Sequence, residues 1–309
     1  EAMVCGLPRS SYRHLPPLRE RLALGLARHG VRKGDHVAAL LEPGPLLAAL
    51  FFAVARLGAV MIPVYTQLRP QGVAAVLEHA RPRLLVTDRA LPEEVLGGSA
   101  RPAVIYAEGV GQQPTLQDFL SGLPVEPTGL ATDVAPTDLL ALLYTSGTTG
   151  TPKATMHSHR SLIAPVIATL RVREFWMRRP SLKALGQMGR VAARYRKRLL
   201  RVIGQPQTLL ASGGWHNTTG LEAMLQALLM GERLVVLPHF EPRTMMRLIE
   251  AERVTILVAV PMIFQVLLSL PDFEQYDTSS LLICATGAAP CPPSLAREIQ
   301  RRFGCAVHI

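Results

Sequence analysis

Leu139-Leu140-Ala141-Leu142-Leu143 is an unbroken apolar run of strand length, and it stops at Tyr144-Thr145-Ser146-Gly147-Thr148-Thr149-Gly150-Thr151-Pro152-Lys153. A strand this apolar has to be buried, so the polar loop it delivers is held by a packed sheet. The residues on either side alternate in the same way. His36–Leu41, Ala59–Pro63 and Leu84–Thr87 read as strands, with helices at Leu46–Ala55 and Gln71–His79. After the loop a helix is expected at Ser161–Leu170. Strands at Gln207–Ala211, Arg233–Leu237, Val254–Val260 and Leu281–Ala285 then alternate with helices at Leu221–Met230, Arg243–Glu252, Met262–Leu270 and Pro293–Phe303. Two of these helices are entered at a proline, Pro242 and Pro292, where the missing N–H costs little. The alternation predicts an α/β fold of layered, mostly parallel sheets with flanking helices. A Pro/Gly/Thr-rich stretch, Gly122 to Pro136, reads as a connection between lobes, placing a first lobe at 1–135 and a second at 136–309.

Composition narrows the function classes. The net charge is +10, but eleven of the 33 Lys/Arg and one of the 23 Asp/Glu fall between Arg171 and Arg201. The remaining residues are therefore balanced, which argues against a protein that coats nucleic acid, and no nucleic-acid partner is expected. The most apolar stretch, Pro45 to Tyr65, carries Arg56 at its middle and Gly58 and Pro63 after it, so a buried helix followed by a buried strand fits better than a membrane span. The four cysteines, Cys5, Cys284, Cys291 and Cys305, form no Cys-x-x-Cys pair and fit reduced core thiols in a cytoplasmic protein.

In the loop, two glycines let the backbone turn tightly and aim its N–H groups into one concavity. Thr145, Ser146, Thr148, Thr149 and Thr151 add hydroxyls, and Lys153 adds a positive charge. Many short donors around one point suit a polyphosphate. The spacing Gly147-x-x-Gly150-x-x-Lys153 is not that of a Walker A loop, and Pro152 prevents a helix from starting directly at the lysine.

Tyr-Thr-Ser-Gly-Thr-Thr-Gly-x-Pro-Lys resembles the signature of the adenylate-forming superfamily, which contains acyl- and aryl-CoA synthetases, luciferases and peptide-synthetase adenylation domains. Phe51 to Pro63, Val254 to Leu268 around Val260-Pro261, and Tyr276 to Pro290 are also similar to family segments. Pro290-Cys291-Pro292-Pro293 resembles the acyl-CoA synthetase branch most. The resemblance implies that ATP, Mg2+ and CoA serve to convert a carboxylic acid, expected to be fatty or similarly lipophilic, into an acyl-adenylate and then a thioester. Thr145, Ser146, Gly147, Thr148, Thr149, Gly150 and Lys153 would then hold the phosphates, and Gly287, Ala288, Ala289 and Pro290 would line the adenine. Gly-Ala-Ala-Pro is also an ordinary strand-to-helix turn. A carrier-protein adenylation domain and a non-catalytic remnant remain open alternatives.

Trp215-His216 resembles the aromatic–histidine pair that CoA ligases carry near the acyl carboxylate, although Ser212-Gly213-Gly214 replaces the usual residues before it. His216 is the candidate catalytic side chain, with a satisfied structural histidine as the other reading. His157 and His159 lie two apart without a third candidate ligand, so no metal site is expected.

Residues 171–206 have no recognised family counterpart. Within them Leu185, Met188, Ala192, Tyr195, Leu199 and Val202 repeat at helical spacing, and Lys183, Arg190, Arg194, Lys197 and Arg201 occupy the opposite face. Such a helix over 181–203 suits either peripheral contact with an anionic membrane or docking on the domain with its basic face solvated. Ala306-Val307-His308-Ile309 reads as a strand just begun. The chain is accordingly expected to be a piece of a longer protein, without the C-terminal domain and inactive alone.

Overall fold

A computed structural model describes residues 3–4, 9–107, 110–112, 114–124, 130, 133–145, 152–178 and 206–309. Ser146 to Thr151 of the Gly/Thr loop and the basic segment 179–205 lie outside the described residues.

The chain opens with two short strands, β1 (Met3–Val4) and β2 (Arg9–Ser10), and helix α1 (Leu15–Arg28). Then follow β3 (His36–Leu40), α2 (Pro45–Arg56), β4 (Val60–Pro63), α3 (Pro70–Ala80), β5 (Leu84–Thr87), α4 (Glu93–Leu96), β6 (Ala103–Tyr106), α5 (Leu116–Leu120), β7 (Leu139–Thr145) and β8 (Lys153–Ser158). Strands β3 to β8 form a six-stranded sheet in the order β6-β5-β3-β4-β7-β8. Its pairs are parallel except the hairpin β7–β8, which is antiparallel.

Burial explains these elements. Every residue of β4 and β5 is buried, as expected of central parallel strands covered by helices. Helix α2 starts at Pro45 and buries Leu47, Leu50, Phe51 and Val54. It ends at Arg56, whose Nε lies 3.0 Å from Oε2 of the buried Glu20 on α1. Gly58 then turns the chain at φ +65°, a conformation glycine adopts without steric cost, and β4 begins. The long apolar stretch is thus a helix and a strand. Among the described residues no helix is long and apolar enough to cross a membrane.

The remaining elements are α6 (His159–Arg178), β9 (Thr208–Ala211), α7 (Thr218–Leu229), β10 (Arg233–Val236), α8 (Pro242–Ala251), β11 (Ile256–Ala259), α9 (Pro261–Leu268), β12 (Ile283–Thr286), α10 (Pro293–Phe303) and β13 (Ala306–His308). A seven-stranded sheet has the order β13-β12-β11-β9-β10-β1-β2, with parallel pairing from β13 through β1. Its core gathers Leu210, Met245, Ile249, Leu257, Phe264 and Phe303.

The chain divides into two compact units, one of residues 10–163 with 214–218, the other of 1–9, 164–213 and 219–309. The first of these units continues past residue 135, the boundary expected between lobes. Met61 pairs with Ala141 and β8 pairs with β7, so residues 139–158 extend the first sheet. A loop within a unit and a linker between units share one composition, so the Pro/Gly/Thr-rich stretch alone does not distinguish them.

Phe303 is completely buried, edge-on to Phe264 at 6.1 Å and to Phe273 at 5.0 Å. Phe303→Ala is expected to cost about 3–5 kcal/mol, read as a lower midpoint in urea denaturation. An unchanged midpoint would show that this cluster does not hold the unit together.

Candidate functional site

The two ends of the Gly/Thr loop meet in the first sheet. β7 and β8 are paired from Leu139↔Ser158 to Thr145↔Lys153, so Thr145 and Lys153 are direct cross-strand partners at the mouth of the hairpin. Lys153 begins a strand, and its side chain is exposed. Among the described residues no carboxylate lies within ion-pair range of its ammonium group. An exposed cation without a protein counter-ion at the mouth of a Gly/Thr loop fits a phosphate-bearing ligand.

β7 is anchored near both of its ends. Lys33 Nζ lies 2.7 Å from Asp138 Oδ2 and donates to the Asp133 carbonyl at 2.7 Å. Asp138 also accepts from the Ala135 N–H at 2.7 Å, and these bonds hold its carboxyl below the usual range. Tyr144, the first residue of the motif, reaches His79 of α3, with Oη 2.7 Å from Nδ1 and the rings edge to face. Burial pushes its phenol up, so it stays a protonated donor at neutral pH. Motif and helix α3 are thereby tied together, a link that required the tertiary pairing to be seen.

His216 belongs to the same unit as the hairpin. Its ring stacks on Tyr65, the centroids 4.1 Å apart and the planes inclined by 30°. Burial lowers its basicity, which favours a neutral imidazole at neutral pH. The neighbouring Trp215 is buried. Tyr65 was not among the candidates from sequence, although it follows directly on the carboxyl end of β4, where open parallel sheets bind their ligands.

Gly287 to Pro290 lie in the other unit, between β12 and α10, and all four residues are exposed. Ala288 has φ +62°, a left-handed conformation that is unfavourable for a residue with a Cβ. Thr286, the last residue of β12, is 6% exposed, and its Oγ1 has no hydrogen-bond partner among the described residues. A left-handed Ala288 and a buried hydroxyl without a partner among the described residues thus flank Gly287. The structure thus brings Thr145, Lys153 and His216 into one unit and places 287–290 in the other. His157 lies on β8 with Nε2 3.1 Å from Thr155 Oγ1, and His159 begins α6. Among the described residues no three His, Cys, Asp or Glu side chains are grouped to hold a metal.

The AMP-binding enzyme family matches this sequence over residues 1–309. The chain belongs to that family. It is similar to the long-chain-fatty-acid–CoA ligase FadD13 of Mycobacterium tuberculosis, 27% identical over 291 residues that cover 94% of this chain and 52% of FadD13. It also resembles the 3-hydroxybenzoate–CoA/4-hydroxybenzoate–CoA ligase of Thauera aromatica, 35% identical over 167 residues covering 52% of this chain and 32% of that enzyme. Among solved structures, ATP-bound MatB from Rhodopseudomonas palustris superposes with a TM-score of 0.76 at 25% identity, over 99% of this chain and 55% of that one. The chain spans about half the length of FadD13 and of MatB. Family and fold agree with the α/β, mostly parallel architecture expected from the sequence.

Burial lowers the pKa of His157, His159 and His216. The unfolded chain then binds more protons just below about pH 6.5, so these groups remove stability as pH falls from there through their folded values. Glu222, pushed up by burial, acts in the opposite direction. Comparison with His216→Gln isolates the histidine part. The wild type is expected to lose more stability than the variant between pH 7.5 and 5.5 in urea titrations, and parallel losses would exclude a buried neutral His216.

Proposed function

We propose that this chain carries the phosphate and acyl side of an AMP-forming acid–CoA ligase. The observation that carries the proposal is the cross-strand pair Thr145↔Lys153, which closes the Gly/Thr loop with an exposed cation lacking a carboxylate partner among the described residues. Membership of the AMP-binding enzyme family and the ligase names of its relatives support it.

The reaction joins a carboxylate oxygen to the α-phosphorus of ATP and breaks the bond to pyrophosphate, which leaves. The CoA thiol then attacks the acyl carbon and AMP departs with the bonding pair of the mixed anhydride. Phosphoryl-type transfer depends on positioning and on neutralising charge more than on covalent help from the protein. In this reading Lys153 and the loop donors Thr145, Ser146, Thr148 and Thr149, with Gly147 and Gly150 giving the backbone its turn, hold the pyrophosphate portion. Gly287, Ala288, Ala289 and Pro290 receive the adenine. A neutral His216 beside the acyl carboxylate can accept or donate one hydrogen bond without adding charge. Mg2+ would neutralise phosphate charge when bound, held largely by phosphate oxygens and water; among the described residues no three His, Cys, Asp or Glu are grouped to hold it. The acid is proposed to be fatty or similarly lipophilic, in keeping with the FadD13 name.

Pyrophosphate release by the full-length protein from a panel of fatty and aromatic acids tests the proposal. Release with at least one acid is expected, with Lys153→Ala reducing it on the order of 10²-fold, as for loss of one electrostatic transition-state contact. No release above background with any acid would refute the reading.

A further inference from the structure

His216 is held without a hydrogen bond to its ring nitrogens among the described residues. Two features far apart in sequence take that role. The first is the face of Tyr65, stacked at 4.1 Å. The second is the bare backbone at Gly214: a Cβ there would stand 2.6 Å from both Cε1 and Nδ1 of His216. Real Cβ atoms do not approach that closely, so any other residue at 214 would displace the ring. The sequence that departs from the usual pattern before the aromatic–histidine pair is therefore what lets His216 lie where it does.

Tyr65 is fixed in its turn. Its hydroxyl donates to Gln67 Oε1 at 2.6 Å. The adjacent Thr66 carbonyl accepts from Arg89 Nη1 at 2.9 Å. Arg89 is clamped by Glu42 at 2.8 Å and Asp88 at 2.9 Å. Glu42, Thr66 and Arg89 follow the carboxyl ends of β3, β4 and β5, so the Tyr65 ring stands on a rigid platform of three strand ends.

We propose that Tyr65 is a positioning residue for His216: its stacked ring, together with the side-chain-free backbone at Gly214, sets the orientation in which His216 presents its nitrogens to the substrate. This rests on the reading of His216 as the residue beside the acyl carboxylate. Stacking rather than hydrogen bonding leaves both nitrogens available to a ligand, and burial between the two surfaces accounts for the lowered basicity of the ring.

Carbon–proton spectra of the chain labelled with 13C-histidine test the geometry, with His216 assigned as the signal lost in His216→Gln. The wild-type signal is expected to be shifted upfield by the Tyr65 ring and to titrate below about 6.5. Tyr65→Phe keeps both properties. Tyr65→Ala loses the upfield shift and titrates closer to about 6.5, and Gly214→Ala moves the signal because the ring is displaced. The other histidine signals, unmoved, show that each variant is folded.

The same substitutions in the full-length protein test the consequence. Tyr65→Ala lowers kcat on the order of 10- to 10²-fold, the effect of a misplaced reacting group, and adds no further loss to His216→Ala. An unchanged His216 signal in Tyr65→Ala, or a fully additive loss in the double variant, overturns the positioning role. Full turnover in His216→Ala overturns the underlying reading of His216, and this proposal with it, irrespective of the spectra.

Discussion

The pairing of β7 is the constraint on which the candidate phosphate site depends. On one side β7 lies parallel to β4, in the interior of a sheet; on the other it runs antiparallel to β8. Within the sheet Leu140, Ala141 and Leu143 are buried, and the second contact returns the chain so that Lys153 stands opposite Thr145. A loop of Gly, Ser and Thr has no fixed shape by composition alone. The ladder sets where its two ends stand, with Thr145 opposite Lys153. The anchoring of Asp138 by Lys33 and of Tyr144 by His79 extends the same constraint along the strand.

A second constraint acts at the carboxyl ends of the parallel strands. Arg89, Glu42 and Asp88 join the segments after β3, β4 and β5, and Tyr65 projects from the middle one. Parallel strands bring such segments to one edge although they are distant in sequence. His216 completes the group by lying against Tyr65, and its basicity follows from burial rather than from a charged neighbour. Unpaired polar groups are costly where they are buried. Their presence at Thr286, next to the strained Ala288, is consistent with a surface built to receive a ligand.

Elements with strong apolar patterns were legible in the sequence almost to the residue. Leu84–Thr87 and Pro293–Phe303 were expected with the observed bounds, and most others fell within two residues. Other elements were missed, among them the apolar β6 at Ala103–Tyr106. β8 reads Lys-Ala-Thr-Met-His-Ser and has no buried residue, because it lies at the edge of its sheet and has one strand neighbour. α1 begins Leu-Pro-Pro, which looks like a breaker until Pro16 and Pro17 are placed in the first turn. Which sheet β7 and β8 join is decided by the strands they pair with, and pairing leaves no mark in local composition.

By itself the sequence determined the chemistry on offer: an apolar strand feeding a loop of glycines, hydroxyls and one lysine, a second Gly-Ala-Ala-Pro turn, and an aromatic–histidine pair. It also determined the fold class, since strand–helix alternation is written in local periodicity. Only the tertiary structure decided which of these groups meet. Opposing Thr145 to Lys153 needs a register, stacking His216 on Tyr65 needs a crossover between distant segments, and the requirement for glycine at 214 exists because a ring comes to rest there. Local sequence specifies what a residue can do; long-range pairing specifies what it faces, and that depends on contacts no window of neighbouring residues contains.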